Sequence, residues 1–370
     1  MRTPVLVMDL SVMEAAYRRF TAVMPSTAVH YATKCNPHRD VLAALHSVGC
    51  GFEIASAREL DELIALGVDP SAVLYSNPVK PEAHVRAAHA GGVRSFAFDS
   101  MEEAAKLAAS APGCNAIVRL AAPSGRSSVP SEGKFGVDPD SAVRLLVEAR
   151  ARGLCPFGVA FHVGSQMLRP KAWRSPLLAV RYLMDRLDDV GIRLQLVDLG
   201  GGFPARYGDT PPPLERYAAV IQRGLKALPY PVQTVIEPGR AIVAEAGTLT
   251  ATVIGTAVRG GKRWIHLDVG AFNGLMESLE TGNRLRFPVS DSRGSTVRDR
   301  FHLTGPTCDS QDTILFDVEL SADLATGDLV HIATAGAYTT AYASTFNGFD
   351  VPAVSCIAGG SRTTQRLIEI

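Results

Sequence analysis

A small set of polar residues in this chain closes apolar runs, where chemistry is possible and solvent is scarce. Lys34 ends the run Tyr31-Ala32-Thr33-Lys34-Cys35-Asn36-Pro37. A lysine at the rim of an apolar enclosure loses hydration, which lowers its pKa and makes its amine a Schiff-base nucleophile; the alternative is a lysine that snorkels to solvent. Gly200, Gly201 and Gly202 follow Val197-Asp198-Leu199. Three glycines let backbone N–H groups converge on an anion, or make a tight turn without a ligand. Glu237-Pro238-Gly239-Arg240 follows another run. Arg240 offers a fork of donors to the same anion. Glu237 is a carboxylate able to keep a heteroaromatic nitrogen protonated, or else the ion-pair partner of Arg240. His162, in Phe161-His162-Val163-Gly164-Ser165-Gln166, is either structural or a flat ring that stacks on a ligand, and Ser165 is a further phosphate donor. Glu53 and Arg119 end two more runs.

The elements that must position these residues recur with a regular period. Runs rich in β-branched and aromatic residues fall at Val29–Thr33, Gly51–Ile54, Val73–Ser76, Ser95–Phe98, Ala116–Leu120, Gly158–His162, Gln195–Leu199 and Gln233–Ile236. Helical patterns separate them, among them Arg39–Val48, Glu59–Leu66, Glu82–Ala90, Glu102–Ala109 and Ala142–Ala151. Ser11 with Glu14, Ser56 with Glu59 and Ser100 with Glu103 have capping-box spacing. Eight β/α units predict a (β/α)8 barrel, with an open doubly wound sheet as the alternative. In such a barrel chemistry sits at the C-terminal strand ends, where all the residues above fall. From about Ala244 strand-like runs follow one another without helices: Thr250–Val258, Arg263–Leu267, Arg286–Val289, Ile314–Val318, Leu329–Ala333 and Ala353–Ile357. They predict a C-terminal antiparallel β domain, with Ser290–Asp299 as a polar loop. The domains are therefore residues 10–243, and 244–370 together with 1–9. Ser124–Gly136, rich in glycine and serine, is read as a mobile loop over the barrel mouth.

Composition narrows the function. Of 370 residues 46% are hydrophobic and 20% charged, and Lys+Arg and Asp+Glu both number 37. That balance gives no basic footprint for nucleic acid or a membrane surface. No stretch approaches the roughly 20 apolar residues of a membrane span, and the N-terminus does not read as a signal peptide. Cys35, Cys50, Cys114, Cys155, Cys308 and Cys356 are scattered without a CxxC pair, as expected of reduced thiols in a cytoplasmic protein. Nothing calls for a metal.

In this order the motifs Tyr31–Pro37, Phe161–Gln166, Asp198–Pro204, Glu237–Arg240, Gly305–Asp312 and Gly336–Phe349 resemble the ornithine/diaminopimelate/arginine decarboxylase family, which shares its fold with alanine racemase. The resemblance covers nearly the whole chain and looks most like the ornithine decarboxylases, through Cys308-Asp309-Ser310-Gln311-Asp312 and Ser344-Thr345-Phe346-Asn347-Gly348-Phe349. It implies a pyridoxal 5'-phosphate (PLP) enzyme with a PLP-binding (β/α)8 barrel. Lys34 would carry the cofactor as a Schiff base, His162 stack on its ring and Glu237 hold its pyridinium nitrogen. Ser165, Gly201, Gly202, Gly239, Arg240 and Tyr338 would bind the phosphate, and Glu53 and Arg119 match further cofactor-site positions. Cys308 would return a proton to the reacting carbon. The Cys308–Asp309 segment enters the site from the partner subunit in this family, which implies an obligate homodimer.

For substrate the resemblance implies a basic amino acid, L-ornithine to putrescine or L-lysine to cadaverine, within polyamine biosynthesis. Asp309, Glu280, Glu277 and Phe346 are the residues that would meet it, with Glu280 placed first for the distal ammonium. The chain departs from the pattern in about two extra residues after Glu280, in the nearby Arg284 and Arg286, and in Pro130, where some members carry arginine. These departures keep open a diaminopimelate, carboxylated-polyamine or secondary-metabolism substrate; Asp309 argues against diaminopimelate, whose enzymes usually carry glutamate there. Racemisation is a further option, but racemases of this fold lack the Cys-Asp segment and the His162 pattern; a non-catalytic PLP-binding homologue is another, and the presence of Lys34, Glu237, Arg240 and Tyr338 speaks against it.

Overall fold

The computed structural model describes residues 2–123, 127 and 133–359. They form two compact units: Tyr17–Pro204 with Pro212–Gly239, and Met1–Ala16 with Ala205–Pro211 and Arg240–Ile370. Strand β1 (Val5–Asp9) belongs to the second unit.

The first unit is a closed barrel of eight parallel strands: β2 (Ala28–Ala32), β3 (Gly51–Ile54), β4 (Leu74–Tyr75), β5 (Ser95–Phe98), β6 (Asn115–Leu120), β7 (Cys155–Phe161), β8 (Leu196–Asp198) and β9 (Gln233–Ile236). All eight coincide with the apolar runs, because a parallel strand buried on both faces reads as continuous hydrophobicity. The pairing register decides which residues face inward. Leu74, Ile117, Ala160, Leu196 and Val235 pack together as one apolar layer of the core. Glu53 pairs with Leu74, Arg119 with Ala160, and Asp198 with both Ala160 and Val235. Glu53, Arg119 and Asp198 therefore share the inward face with that layer. Glu237 extends it two residues beyond Val235.

Helices Arg39–Ser47, Ala57–Ile64, Glu82–Ala90, Met101–Ser110 and Pro139–Ala151 lie at the expected places. Two of the three expected caps hold. The Ser56 and Ser100 hydroxyls accept from the N–H of Glu59 and Glu103 at 3.3 and 3.1 Å. The third is corrected: helix Leu10–Val23 starts before Ser11, and the Asp9 carboxylate accepts from Ser11 N at 3.0 Å. Of the loop read over the barrel mouth, Ser124 and Pro130 lie outside the described residues.

The second unit holds a mixed sheet in the order β12-β15-β10-β11-β13-β14, with β1 on β10 and β16 on β1. Its strands are β10 (Gly247–Arg259), β11 (Lys262–Leu267), β12 (Val289–Asp291), β13 (Arg298–Thr304), β14 (Thr313–Ser321), β15 (Leu329–Ala333) and β16 (Ala353–Ile357). Most pairs are antiparallel, as expected; β1 with β16 and β11 with β13 are parallel. Two strands border or enter what reads as the polar loop Ser290–Asp299. β12 runs into its start, and β13 begins with exposed Arg298, Asp299 and Arg300, whose charges hide its strand character. β1, apolar but placed just before a helical pattern, pairs with residues some 245 and 350 positions away.

Candidate active site

The barrel unit gathers Lys34, Glu53, Arg119, His162, Gly200–Gly202 and Glu237 at the C-terminal ends of its strands. Lys34 sits in the single turn Thr33–Cys35 that caps β2. Its side chain is 52% exposed, while its Nζ lies 3.5 Å from Oε2 of Glu53, whose side chain is 2% exposed. No aligned hydrogen bond reaches that oxygen, and none reaches the buried Thr33 hydroxyl. The two partners shift each other. Burial pushes the Glu53 carboxyl up to about 8, with Lys34 opposing. The Lys34 amine is pushed upward, chiefly by the Glu53 charge, against a smaller downward pull from burial. That corrects the expectation that desolvation lowers its pKa: the carboxylate one strand away outweighs the enclosure.

The glycine segment is shaped by close approach. Gly200 and Gly202 have φ of +65° and +97°. A Cβ on Gly201 would stand 2.5 Å from the Glu237 carbonyl oxygen, and one on Gly202 2.5 Å from that of Gly164. Only glycine fits here, and the cradle is fixed from behind. Trp173 Nε1 donates to the Leu199 carbonyl at 3.1 Å, and Phe203 packs on Trp173 and Phe20 with ring centroids 4.9 and 5.2 Å away. Glu237 N donates to Gly200 O at 2.9 Å, which locks β9's end to this turn. At the neighbouring position a Cβ on Gly239 would meet the Cys35 side chain at 2.8 Å.

His162 lies beside Gly201. Burial, with the positive charges of Arg119 and Lys34, drives its pKa down to about 3, so the imidazole is neutral near pH 7. A neutral flat ring is suited to stacking on an aromatic ligand. Ser165 follows on the same turn, half-buried, before Gln166 in a left-handed conformation at φ +54°.

Two residues here carry no role in the sequence reading. The Ser76 hydroxyl, just beyond β4, donates to Oε1 of Glu237. Asp198 is 1% exposed and accepts from Gly200 N at 2.9 Å, while the Gly200 carbonyl accepts from Glu237 N at 2.9 Å. Asp198 stands in the quoted motif, but the β8–β9 register that brings it to Glu237 is a long-range fact.

In the β unit Arg240 is 3% exposed and meets Glu277, 6% exposed, through both of its terminal nitrogens. Its Nη1 also donates to the Tyr207 hydroxyl at 2.8 Å, and its guanidinium carbon lies 4.9 Å from the centre of the Tyr338 ring. Tyr338 is left-handed at φ +60°, a costly backbone state for a tyrosine. Glu277 therefore has a built-in partner, whereas Glu280, on the same short helix, is exposed. The Cys308 segment is held out by its base. Buried Asp312 accepts from Ala271 N, Thr307 N and Thr307 Oγ1 at 2.7, 3.1 and 2.7 Å, leaving Cys308 and Asp309 exposed. Asn347 Nδ2 donates to Cys308 Sγ at 3.4 Å, and Phe346 packs on Phe272 at 4.8 Å.

The pyridoxal-binding domain of pyridoxal-dependent decarboxylases matches residues 10–244. The chain belongs to the pyridoxal-dependent decarboxylases. It is 36% identical to the lysine/ornithine decarboxylase of Selenomonas ruminantium over 353 residues, 94% of this chain and 88% of that protein. Its fold matches lysine/ornithine decarboxylase from Vibrio vulnificus, solved with cadaverine, at a TM-score of 0.89 and 32% identity, covering 96% and 95% of the two chains. It matches SrLDC, solved with PLP and cadaverine, at 0.90 and 33%, covering 100% and 94%. The cofactor of this decarboxylase is PLP. The residues present fit it: a glycine turn packed so closely on the barrel backbone that no side chain is tolerated, a half-exposed lysine side chain whose amine stands beside a buried acid, a neutral imidazole, and polar atoms of Thr33 and Glu53 left without hydrogen bonds.

Proposed function

We propose that this decarboxylase acts on L-ornithine or L-lysine, releasing carbon dioxide and a diamine, as a cytoplasmic homodimer of polyamine biosynthesis. The observation that carries the reading is the strand-end arrangement of Lys34, Glu53, His162, Gly200–Gly202 and Glu237 in one barrel. PLP, when bound, supplies an electron-poor ring that accepts the electron pair left as the carbon–carboxylate bond breaks. Lys34 would hold the cofactor through its amine, and its half-exposed side chain would leave the substrate amine an approach. Gly201, Gly202, Gly239 and Ser165 are proposed for the phosphate, joined on sequence resemblance by Arg240 and Tyr338. Neutral His162 would pack against a ring face without adding charge, and Glu237 would keep the ring nitrogen protonated. Glu53 and Arg119 set the charge around Lys34.

On the substrate side the exposed Cys308 returns a proton to the reacting carbon, and Asp309 and Phe346 line the same approach. Their exposure in the single chain accords with a segment that serves a partner subunit. Glu280 takes the distal ammonium, since Glu277 is committed to Arg240. Among the described residues no helix is long and apolar enough to cross a membrane. A substrate with its own distal carboxylate is the second reading, favoured by Arg284, whose Nε is tied to Thr281 O at 2.8 Å in the turn after Glu280. The test is carbon-dioxide release by the PLP-loaded protein from L-ornithine, L-lysine, L-arginine and meso-diaminopimelate. Preference for ornithine or lysine is the expected outcome. Silence on all four, with the visible absorbance of bound PLP intact, would move the substrate to the second reading.

A further inference from the structure

The least expected group in the barrel is Asp198. It points inward from β8, it is 1% exposed, and its neighbours include two other acids. We propose that Asp198 is a positioning residue for Glu237: its carboxyl donates a hydrogen bond to the Glu237 carboxylate from one side while Ser76 donates from another, and the two donors fix Glu237 for its work on the ring nitrogen. The inference deepens the proposed function and rests on it for the role of Glu237.

The donor and acceptor inventory supports this assignment. Ser76 donates to Oε1 of Glu237, which makes Glu237 an acceptor. Asp198 Oδ1 is already occupied by the Gly200 N–H. The β8–β9 register and the shared Gly200 bonds bring the two acids together on the inward face, and a hydrogen bond between them needs a proton, which is assigned to the second Asp198 oxygen. Burial, followed by the Glu237 charge and hydrogen bond, pushes the Asp198 carboxyl well above the usual carboxylate range, with Glu53 adding to it. Asp198 and Glu237 face inward from neighbouring strand ends, and two acids so placed in a largely buried site do not both ionise readily. The backbone leaves little choice of rotamer, since Gly200 is bonded through its N–H to Asp198 and through its carbonyl to Glu237 N.

A neutral donor and an anion respond differently to substitution. Asparagine is an isostere of the protonated acid: its oxygen accepts from Gly200 and its NH2 donates to Glu237. Asp198→Ala removes a hydrogen bond to a charged group and should lower kcat by about 10–100-fold, with KM for the preferred substrate nearly unchanged and visible cofactor absorbance altered in position. Asp198→Asn should restore kcat to within about threefold, a difference of under 1 kcal/mol, and Ser76→Ala should fall between the two. The infrared spectrum of the cofactor-free protein should show a protonated-carboxyl C=O stretch that Asp198→Asn removes. If Asn is as damaging as Ala in a folded, PLP-loaded protein, or if that band is absent, Asp198 is an anion and the proposal fails. If the wild-type protein decarboxylates none of the basic amino acids, the functional reading fails instead, and the infrared band still decides the state of Asp198.

Discussion

Two ionic clusters in this chain are built on opposite terms. In the β unit Arg240 and Glu277 meet through two nitrogens and two oxygens, with Tyr207 and Tyr338 closing around the guanidinium. In the barrel unit Lys34 and Glu53 meet at 3.5 Å without an aligned hydrogen bond, and the acids Asp198 and Glu237 face inward from adjacent strand ends. The first cluster satisfies itself, so its first use is to hold Tyr207, the short helix Glu277–Glu280 and the Tyr338 turn in place. The second is left incomplete, as expected of a site shaped for a charged ligand rather than for stability.

The sharpest way to break this contrast is to remove Lys34. Lys34→Ala should abolish detectable turnover and the visible absorbance of lysine-bound PLP, because no other described amine has its place beside Glu53. Its effect on the stability of the cofactor-free protein should be small. The acid left behind is already pushed up to about 8 and sheds its charge near neutral pH. Retained turnover would sink the assignment of Lys34; a large loss of stability would show that the barrel cluster is scaffolding after all.

Glu277→Ala is the converse experiment. It strands a buried guanidinium that cannot deprotonate, so the expected cost is about 3–5 kcal/mol, read from urea unfolding of the cofactor-free protein. Glu277→Gln, which keeps a hydrogen-bond acceptor, should cost less. An unchanged unfolding midpoint in both would mean that Glu277 is free to serve substrate, and Glu280 would lose its priority.

Much of this architecture is legible locally. The eight barrel strands announce themselves because each is buried on both faces, and Glu82–Ala90 is read to the residue. Lys34, His162, Gly200–Gly202 and Glu237 are legible because polar residues at the ends of apolar runs are rare. What escapes depends on partners far along the chain. β13 starts with three exposed charged residues and is a strand only through β11 and β14. β1 needs β10 and β16. The direction of the Lys34 shift, and the use of Asp198 and Ser76, follow from which strand lies beside which.

The smallest effect is the most specific to the barrel cluster, and it is a matter of pH. His162 falls from 6.5 to about 3 on folding. Between those values the unfolded chain holds a proton that the folded chain does not, so stability falls as pH drops through that window. Glu53 rises from 4.5 to about 8. There the folded chain holds the extra proton, and stability falls as pH rises from 4.5 to 8. The two slopes oppose each other between 4.5 and 6.5 and separate outside it. Urea midpoints of the cofactor-free protein should therefore show an acid limb below 4.5 that His162→Phe flattens and Glu53→Gln leaves alone. They should also show an alkaline limb between 6.5 and 8 with the reverse dependence. Because the Arg240–Glu277 pair has an arginine that does not titrate in this range, Glu277→Gln should lower the whole curve without flattening the alkaline limb. If it flattens that limb as Glu53→Gln does, the two clusters are not different in kind.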